Sequence, residues 1–265
     1  MRVACLDAAS GVSGDLFLGA LVDAGVPLGV LQTAVDTLGV EGLRLTAAAA
    51  SRDGVRATKV DVTYPPQDEH RHLRHIVSLI EAAALPSPVK EGAIAVFGRL
   101  AEVEAAVHGV SVDSVHFHEV GAADAIADVV GSVTGLHHLG AERLLVGSIN
   151  VGSGEVLCDH GVLAVPAPAT RGLLEGWTCH VAGPARELTT PTGAALVTTL
   201  GSQVQALPRL HVATSGYGAG GSDPPGWPNV LHLTVGEPAA RLDDGREVSA
   251  VGGRYTGHTP KSNRS

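Results

Sequence analysis

Short apolar runs alternate with amphipathic stretches along the chain, and glycine or proline marks most of the junctions. Residues 2–8 (RVACLDA) form the first apolar run, which predicts a buried strand. After a glycine-rich turn, Leu16, Leu18, Leu21 and Val22 predict an apolar helix. A second helix is expected from Pro27 to near Gly39, because proline suits a first helical turn and glycine suits an end. Residues 43–50 and 55–64 read as two strands, and Asp53-Gly54 between them is a strong hairpin signal. A hairpin implies a sheet that is not purely parallel. Leu73, Ile76, Val77 and Ile80 share one helical face over 73–84. Pro86-Ser87-Pro88 closes that helix and opens a longer one over 89–108, with Gly109 as its stop. Val112, Val115 and Phe117 favour a strand, Gly121 breaks it, and an Ala-rich helix runs to about Gly140. Residues 143–165 alternate short strands and turns, a short helix follows Pro166, and Cys179-His180 falls on the next strand. Thr190 as N-cap and Pro191 behind it start another helix. Residues 211–218 and 229–235 read as strands.

The expected fold is α+β (α/β-type), a mixed β-sheet with packed helices from 14–39, 73–108 and 121–140, followed by a polar C-terminal tail. Residues 1–236 form the folded region, divisible near residue 140 into two subdomains, about 1–140 and 141–236. Residues 237–265 are polar and expected to be mobile or unfinished.

Composition narrows the function classes. The 265 residues are 45% hydrophobic and only 3% aromatic, so the core must be Val, Leu and Ala packed through small residues. The formal net charge of -9 argues against nucleic acid as the main partner. No apolar stretch approaches the ~20 residues of a membrane helix. No basic segment precedes an apolar run as in a signal peptide, and Asp7 interrupts the start. The three cysteines, Cys5, Cys158 and Cys179, are far apart and form no CxxC, which suits a reducing cytoplasm. Thirteen histidines against three cysteines imply that any metal is held by nitrogen and oxygen.

Candidate chemistry concentrates in His116–Asp128 (HFHEVGAADAIAD), with two histidines and three carboxylates in thirteen residues. On a strand His116 and His118 would share a face. On the helix behind them Asp124 and Asp128 are four apart and also share a face. Together with Glu119 these side chains make a candidate first-row transition-metal site, since imidazole suits nickel, zinc, copper or iron and carboxylate completes the shell. The blander alternative stays open: Glu119 and Asp124 complement a helix N-terminus, and His116 is a core histidine. A second cluster, His70, His72 and His75, lies in a polar loop and helix start, with His72 and His75 three apart. It fits either a metal-delivery surface or a solvated, weakly basic helix start. His108 suits a helix C-terminus, and the adjacent His137 and His138 cannot both face one site.

Two stretches are candidate anion seats. Asp7, Ser10, Gly11, Ser13, Gly14 and Asp15 surround a turn between strand and helix, where backbone N–H groups gather. The turn lacks a Walker lysine and the dinucleotide glycine spacing, and Ser13 as a plain N-cap explains it equally. Asp7 and Asp15 could instead hold a divalent ion with phosphates. Thr189, Thr190 and Thr192 place three hydroxyls at the second N-terminus, which binds carboxylate or phosphate or is simply capped. Asp159-His160 before Gly161 could orient a reacting group, or form an Asx turn.

Five stretches in order resemble one family: residues 7–17 (DAASGVSGDLF), 116–128, 160–170 (HGVLAVPAPAT), 187–194 (ELTTPTGA) and 216–223 (GYGAGGSD). The chain resembles the LarC family, the nickel-insertion proteins of nickel-pincer cofactor synthesis, over roughly residues 1–236. The resemblance implies CTP-dependent nickel insertion into pyridinium-3,5-bisthiocarboxylic acid mononucleotide, giving the nickel-pincer nucleotide of lactate racemase. It implies nickel as cargo, CTP with Mg or Mn as co-reactants, and a C-terminal nucleotide-binding half that this sequence lacks: either another polypeptide supplies it, or this chain only handles nickel and substrate. The enzyme class implied is a nickel insertase, a chelatase-type lyase that is inactive without that partner. The expected partners are nickel and an anionic mononucleotide, with no membrane and no nucleic acid; a homo-oligomer is open. The alternatives are a nickel chaperone or store using His70, His72 and His75, and, more weakly, a metal hydrolase drawing on Asp159 and His160.

Overall fold

The computed structural model describes residues 1–66, 71–115, 117, 123–158 and 161–239. Its centre is a seven-stranded mixed sheet flanked by helices, so the α+β expectation holds. In chain order the elements begin with β1 (Val3–Asp7), α1 (Gly14–Asp23) and α2 (Leu28–Asp36). The hairpin β2 (Arg44–Arg52) and β3 (Val55–Thr63) follows. Then come α3 (Leu73–Ala82), α4 (Ser87–His108) and α5 (Ala123–His138). Four short strands succeed them: β4 (Arg143–Val146), β5 (Ile149–Asn150), β6 (Glu155–Cys158) and β7 (Gly161–Ala164). The chain continues through α6 (Pro168–Leu173), β8 (Cys179–His180), α7 (Pro191–Leu200) and β9 (Gly201–Gln203). It closes with β10 (Leu210–Ala219) and β11 (Val230–Pro238).

The main sheet runs β2-β3-β10-β11-β1-β4-β9. Strand β1 pairs antiparallel with β11 and parallel with β4. The Asp53-Gly54 turn is built as the sequence expects, with both residues at positive φ (46° and 81°), the backbone a tight two-residue hairpin needs. Two small two-stranded sheets, β5-β8 and β6-β7, lie outside the main one.

Helix α1 lies directly against β3 and β10. Glycine makes this approach feasible: a Cβ on Gly218 would sit 1.8 Å from the Leu16 carbonyl oxygen, and one on Gly19 would sit 2.3 Å from that of Thr58. The main core joins Leu6, Phe17 and Leu21 to Phe97 and Leu100 of α4 and Ile126 of α5. No helix among the described residues is long and apolar enough to cross a membrane.

One local expectation fails. Val112–Ser114 is a 3-10 turn where a strand is expected, and among the described residues Phe117 makes an isolated antiparallel bridge with Arg71. The reason is packing. Val115 and Phe117 are almost fully buried, with the Phe117 ring 6.4 Å from that of Phe97, so these β-favouring residues serve as core plugs.

Candidate functional site

Two cavities stand out. The larger, about 740 Å³, is walled by Val151, Leu163, Pro166, Leu174 and Trp177, with Arg171 and Glu175 also on its lining. The smaller, about 400 Å³, gathers Asp15, Asp61, Asp124, Asp128 and Glu187 around one ammonium, Lys59. Convergent charged groups make the smaller cavity the candidate site.

Three helices begin at this cavity. Gly14 and Asp15 open α1, Asp124 and Ala125 open α5, and Pro191 and Thr192 open α7. Each N-terminus contributes about half a positive charge. First-turn carboxylates answer two of them: Asp15 Oδ1 accepts from the Leu16 N–H and Asp124 Oδ1 from the Ala125 N–H, each at 2.9 Å. At the third, Thr190 caps α7 as expected, its hydroxyl accepting from the Gly193 N–H at 3.2 Å. The cavity remains net negative, so its chemistry favours a cation near the carboxylates.

Lys59 comes from β3. Its Nζ lies 3.0 Å from Asp15 Oδ2 and 2.9 Å from Asp61 Oδ1, and donates to the Val60 carbonyl at 2.8 Å. Burial alone would weaken its hold on the proton, but the two carboxylates outweigh that and its pKa is raised. Ser13 directs its hydroxyl to Asp15 Oδ1 and makes no side-chain cap, unlike the capping role the sequence allows. Asp128 is partly buried. Its Oδ1 is shielded from solvent and has no hydrogen-bond partner among the described residues. Burial first, then the charges of Asp15 and Asp124, push its pKa well above the ordinary value, while Lys59 opposes them. A Cβ on Gly14 would fall 2.1 Å from Asp128 Oδ2, so glycine there leaves the carboxyl its room. Tyr64 reaches Asp124 Oδ1 at 3.5 Å, and burial followed by that carboxylate raises the phenol's pKa.

The sequence-predicted residues divide cleanly. Ser13, Gly14, Asp15, Asp124, Asp128, Thr190 and Thr192 all line this one cavity, which brings candidate metal ligands and candidate anion-seat residues together. The others are placed elsewhere. Asp7 accepts from the Ala9 N–H at 3.1 Å and is the cross-strand partner of His232. The Ser10 hydroxyl donates to the Pro228 carbonyl at 2.6 Å. Gly11, at φ 88°, packs against Leu188. Thr189 is fully buried, donating to the Asn150 carbonyl and accepting from the Val12 N–H. His72 and His75 do not line the cavity; their rings meet edge to face at 5.5 Å, with His72 Nδ1 2.9 Å from the Val115 carbonyl oxygen. The Arg71–Phe117 bridge nevertheless joins the two histidine-bearing stretches of the sequence. His70, His116, His118, Glu119, Asp159 and His160 lie outside the described residues. Among the described residues, no three His, Cys, Asp or Glu side chains are grouped so as to hold a metal ion.

Sequence reasoning missed Lys59, Asp61 and Tyr64. Lys59 and Asp61 sit two apart on a strand, a spacing that put them on one face, but nothing local said which face met α1 and α5.

The nickel insertion protein family model matches residues 4–252. A pyridinium-3,5-bisthiocarboxylic acid mononucleotide nickel insertion protein of Nocardioides is 50% identical over 239 residues, covering 90% of this chain and 61% of that protein. One of the same description from Desulfitobacterium hafniense is 44% identical, covering 93% of this chain and 61% of its own length. A third, from Thermotoga, is 42% identical, covering 92% and 64%. The chain thus spans about three-fifths of the length of these curated relatives. No solved structure matches it. With a family match across nearly all of its described residues, the chain belongs to the nickel insertion protein family.

Proposed function

We propose that this chain is the nickel-handling portion of an insertase that places nickel in pyridinium-3,5-bisthiocarboxylic acid mononucleotide. The observation that carries the reading is the single cavity where Asp15, Asp124 and Asp128 meet the α7 N-terminus at Thr190 and Thr192. Cation-favouring and anion-favouring groups facing one another are what a reaction between Ni²⁺ and an anionic mononucleotide requires. The carboxylates hold the nickel, with His116, His118 and Glu119 as further donors from the adjoining stretch. The Thr190–Thr192 terminus seats a phosphate or thiocarboxylate of the acceptor.

The donor chemistry suits transfer. A delivering site must yield the ion to the sulfurs of the product. Oxygen and imidazole donors do so more readily than a thiolate cage, which would compete with those sulfurs. Among the chain's thiols, Cys5 is buried and its pKa is pushed up to about 11, which keeps it out of metal exchange. The step draws on CTP with Mg or Mn as co-reactants. The reaction is of the lyase type, serves lactate racemase maturation and takes place in the cytoplasm.

The test is reconstitution: purified chain, a C-terminal half from a relative, CTP, Mg, nickel and the mononucleotide. Nickel-dependent appearance of the pincer product is the expected result. Its absence, with a full-length relative active in parallel, overturns the reading. The second reading, a nickel chaperone, draws on the paired rings of His72 and His75. It requires that removing those histidines abolish most nickel uptake while Asp128→Asn barely alters it.

A further inference from the structure

Among the described residues, Lys59 is the one group lining the candidate cavity whose charge opposes nickel. It is firmly held. Its ammonium has three hydrogen-bonding partners, Asp15, Asp61 and the Val60 carbonyl, which matches its three protons. Its side chain is only 14% exposed, against 30% for Asp15 and 57% for Asp61. A surface lysine would not be ordered so completely. The ammonium is set among carboxylates, and Asp128 Oδ1 nearby has no partner among the described residues. An unpartnered, shielded carboxyl oxygen lining an acidic cavity points to a cationic ligand that Lys59 itself does not reach.

We infer that Lys59 and Ni²⁺ compete for Asp15, and that this competition sets how loosely the cavity holds its cargo. The inference rests on the reading of this cavity as the nickel site. Physically, the ammonium and the dication are alternative counter-ions for the same carboxylate. For nickel to engage Asp15, the Lys59 ion pair must open and the four-carbon stem must swing the ammonium away, toward Asp61 and solvent. That cost is charged against nickel binding and returned when nickel leaves. A strong oxygen site would retain the ion; a site with a built-in rival lets it go once the acceptor's sulfurs and carbon are in reach. Two of the carboxylates, Asp15 and Asp61, are ordered around this ammonium. Lys59 is therefore a positioning residue and sets the affinity for nickel; it forms no bond to the reacting atoms.

The test is nickel binding alone, by calorimetry at neutral pH on the intact chain, comparing wild type with Lys59→Met and Asp15→Asn. Lys59→Met preserves the stem and removes the charge. It should tighten nickel binding by roughly tenfold to a hundredfold, as expected for deleting a like charge a few ångströms away in a partly buried site. Asp15→Asn should weaken it. Unchanged or weaker binding in Lys59→Met, with Asp15→Asn still weakened, overturns the inference and leaves the nickel reading standing. Nickel binding indifferent to both changes overturns both. A second measurement needs no variant: acylation of the wild-type chain by an amine-selective reagent, read by mass spectrometry. Nickel should raise labelling at Lys59 and leave Lys90, which donates to the Glu81 carbonyl, as it was. Equal labelling of Lys59 with and without nickel also overturns the inference.

Discussion

The two cavities of this molecule differ in a way that size alone would misjudge. The larger, beside α6, is a hollow of mostly aliphatic and indole surface, with Arg171 and Glu175 on its lining. The smaller has barely more than half that volume, yet three helix N-termini, five carboxyl groups and one ammonium converge on it. Apolar walls can be rearranged at modest cost because dispersion contacts are interchangeable. Carboxylates held against helix N-termini cannot, since hydrogen bonds and neighbouring charges fix their positions. The difference teaches that a site is marked by mutually dependent groups, and that the empty volume beside them is secondary.

That contrast can be broken most severely at Gly14. Gly14→Ala drives a methyl group onto the Asp128 side chain, whose Cβ and Cγ, as well as Oδ2, lie within 2.5 Å of the added atom. The helices α1 and α5 must part, at a cost of about 3 kcal/mol. Chemical denaturation should show that loss, and calorimetry should show nickel binding abolished. Trp177→Ala is the matching insult to the other cavity. The indole is half-buried, so about 2 kcal/mol of stability should go, while nickel binding stays as in wild type. A fall in nickel affinity there would erase the distinction between the two cavities.

Asp128→Asn sharpens the comparison from the other side. A carboxyl whose pKa is higher folded than unfolded stabilises the fold below its unfolded pKa, and loses that contribution as pH rises through the folded value. Asp128 is such a group, through burial first and then Asp15 and Asp124. The asparagine variant should therefore melt higher than wild type at pH 7 to 8, with the gap closing as the pH falls to about 4. It should also bind nickel more weakly, so stability and function would move oppositely at this one position. The smallest effect lies on the sheet, at His232, which stacks on Tyr217 with ring centroids 4.2 Å apart. Burial lowers its pKa, with Asp7 opposing. Its stabilising contribution is present above about pH 6.5 and lost on acidification. His232→Gln should flatten the decline in melting temperature between pH 7 and 5, and leave nickel binding alone.

Local pattern was enough to locate nearly every helix and strand, because glycine, proline and period settle where elements start and stop. The Thr190-Pro191 start of α7 and the Asp53-Gly54 turn are built as their residue types dictate. Val112–Ser114 misled because β-propensity reports burial as much as pairing, and Val115 and Phe117 beside it are buried. At the site, spacing put Asp124 and Asp128 on one face of α5, and the cavity lies on that face. It gave no hint of Lys59, since a lysine between aspartates on a strand looks like ordinary solvated charge. Nor could it separate Thr189, whose hydroxyl is consumed by backbone, from Thr190 one position on. Those assignments depend on which strands adjoin, and strand order is a long-range property.

That order carries a temporal consequence. Strand β1 is made first, yet it lies inside the sheet between β4 and β11, and β11 is the last strand described. One of its edges must wait for residues synthesised more than two hundred positions later. Pairings of such separation form slowly, because the intervening chain has to be gathered first. A nascent polypeptide of this kind exposes an apolar ribbon, Val3 to Leu6, throughout its synthesis. It should lean on chaperones until translation has passed β11.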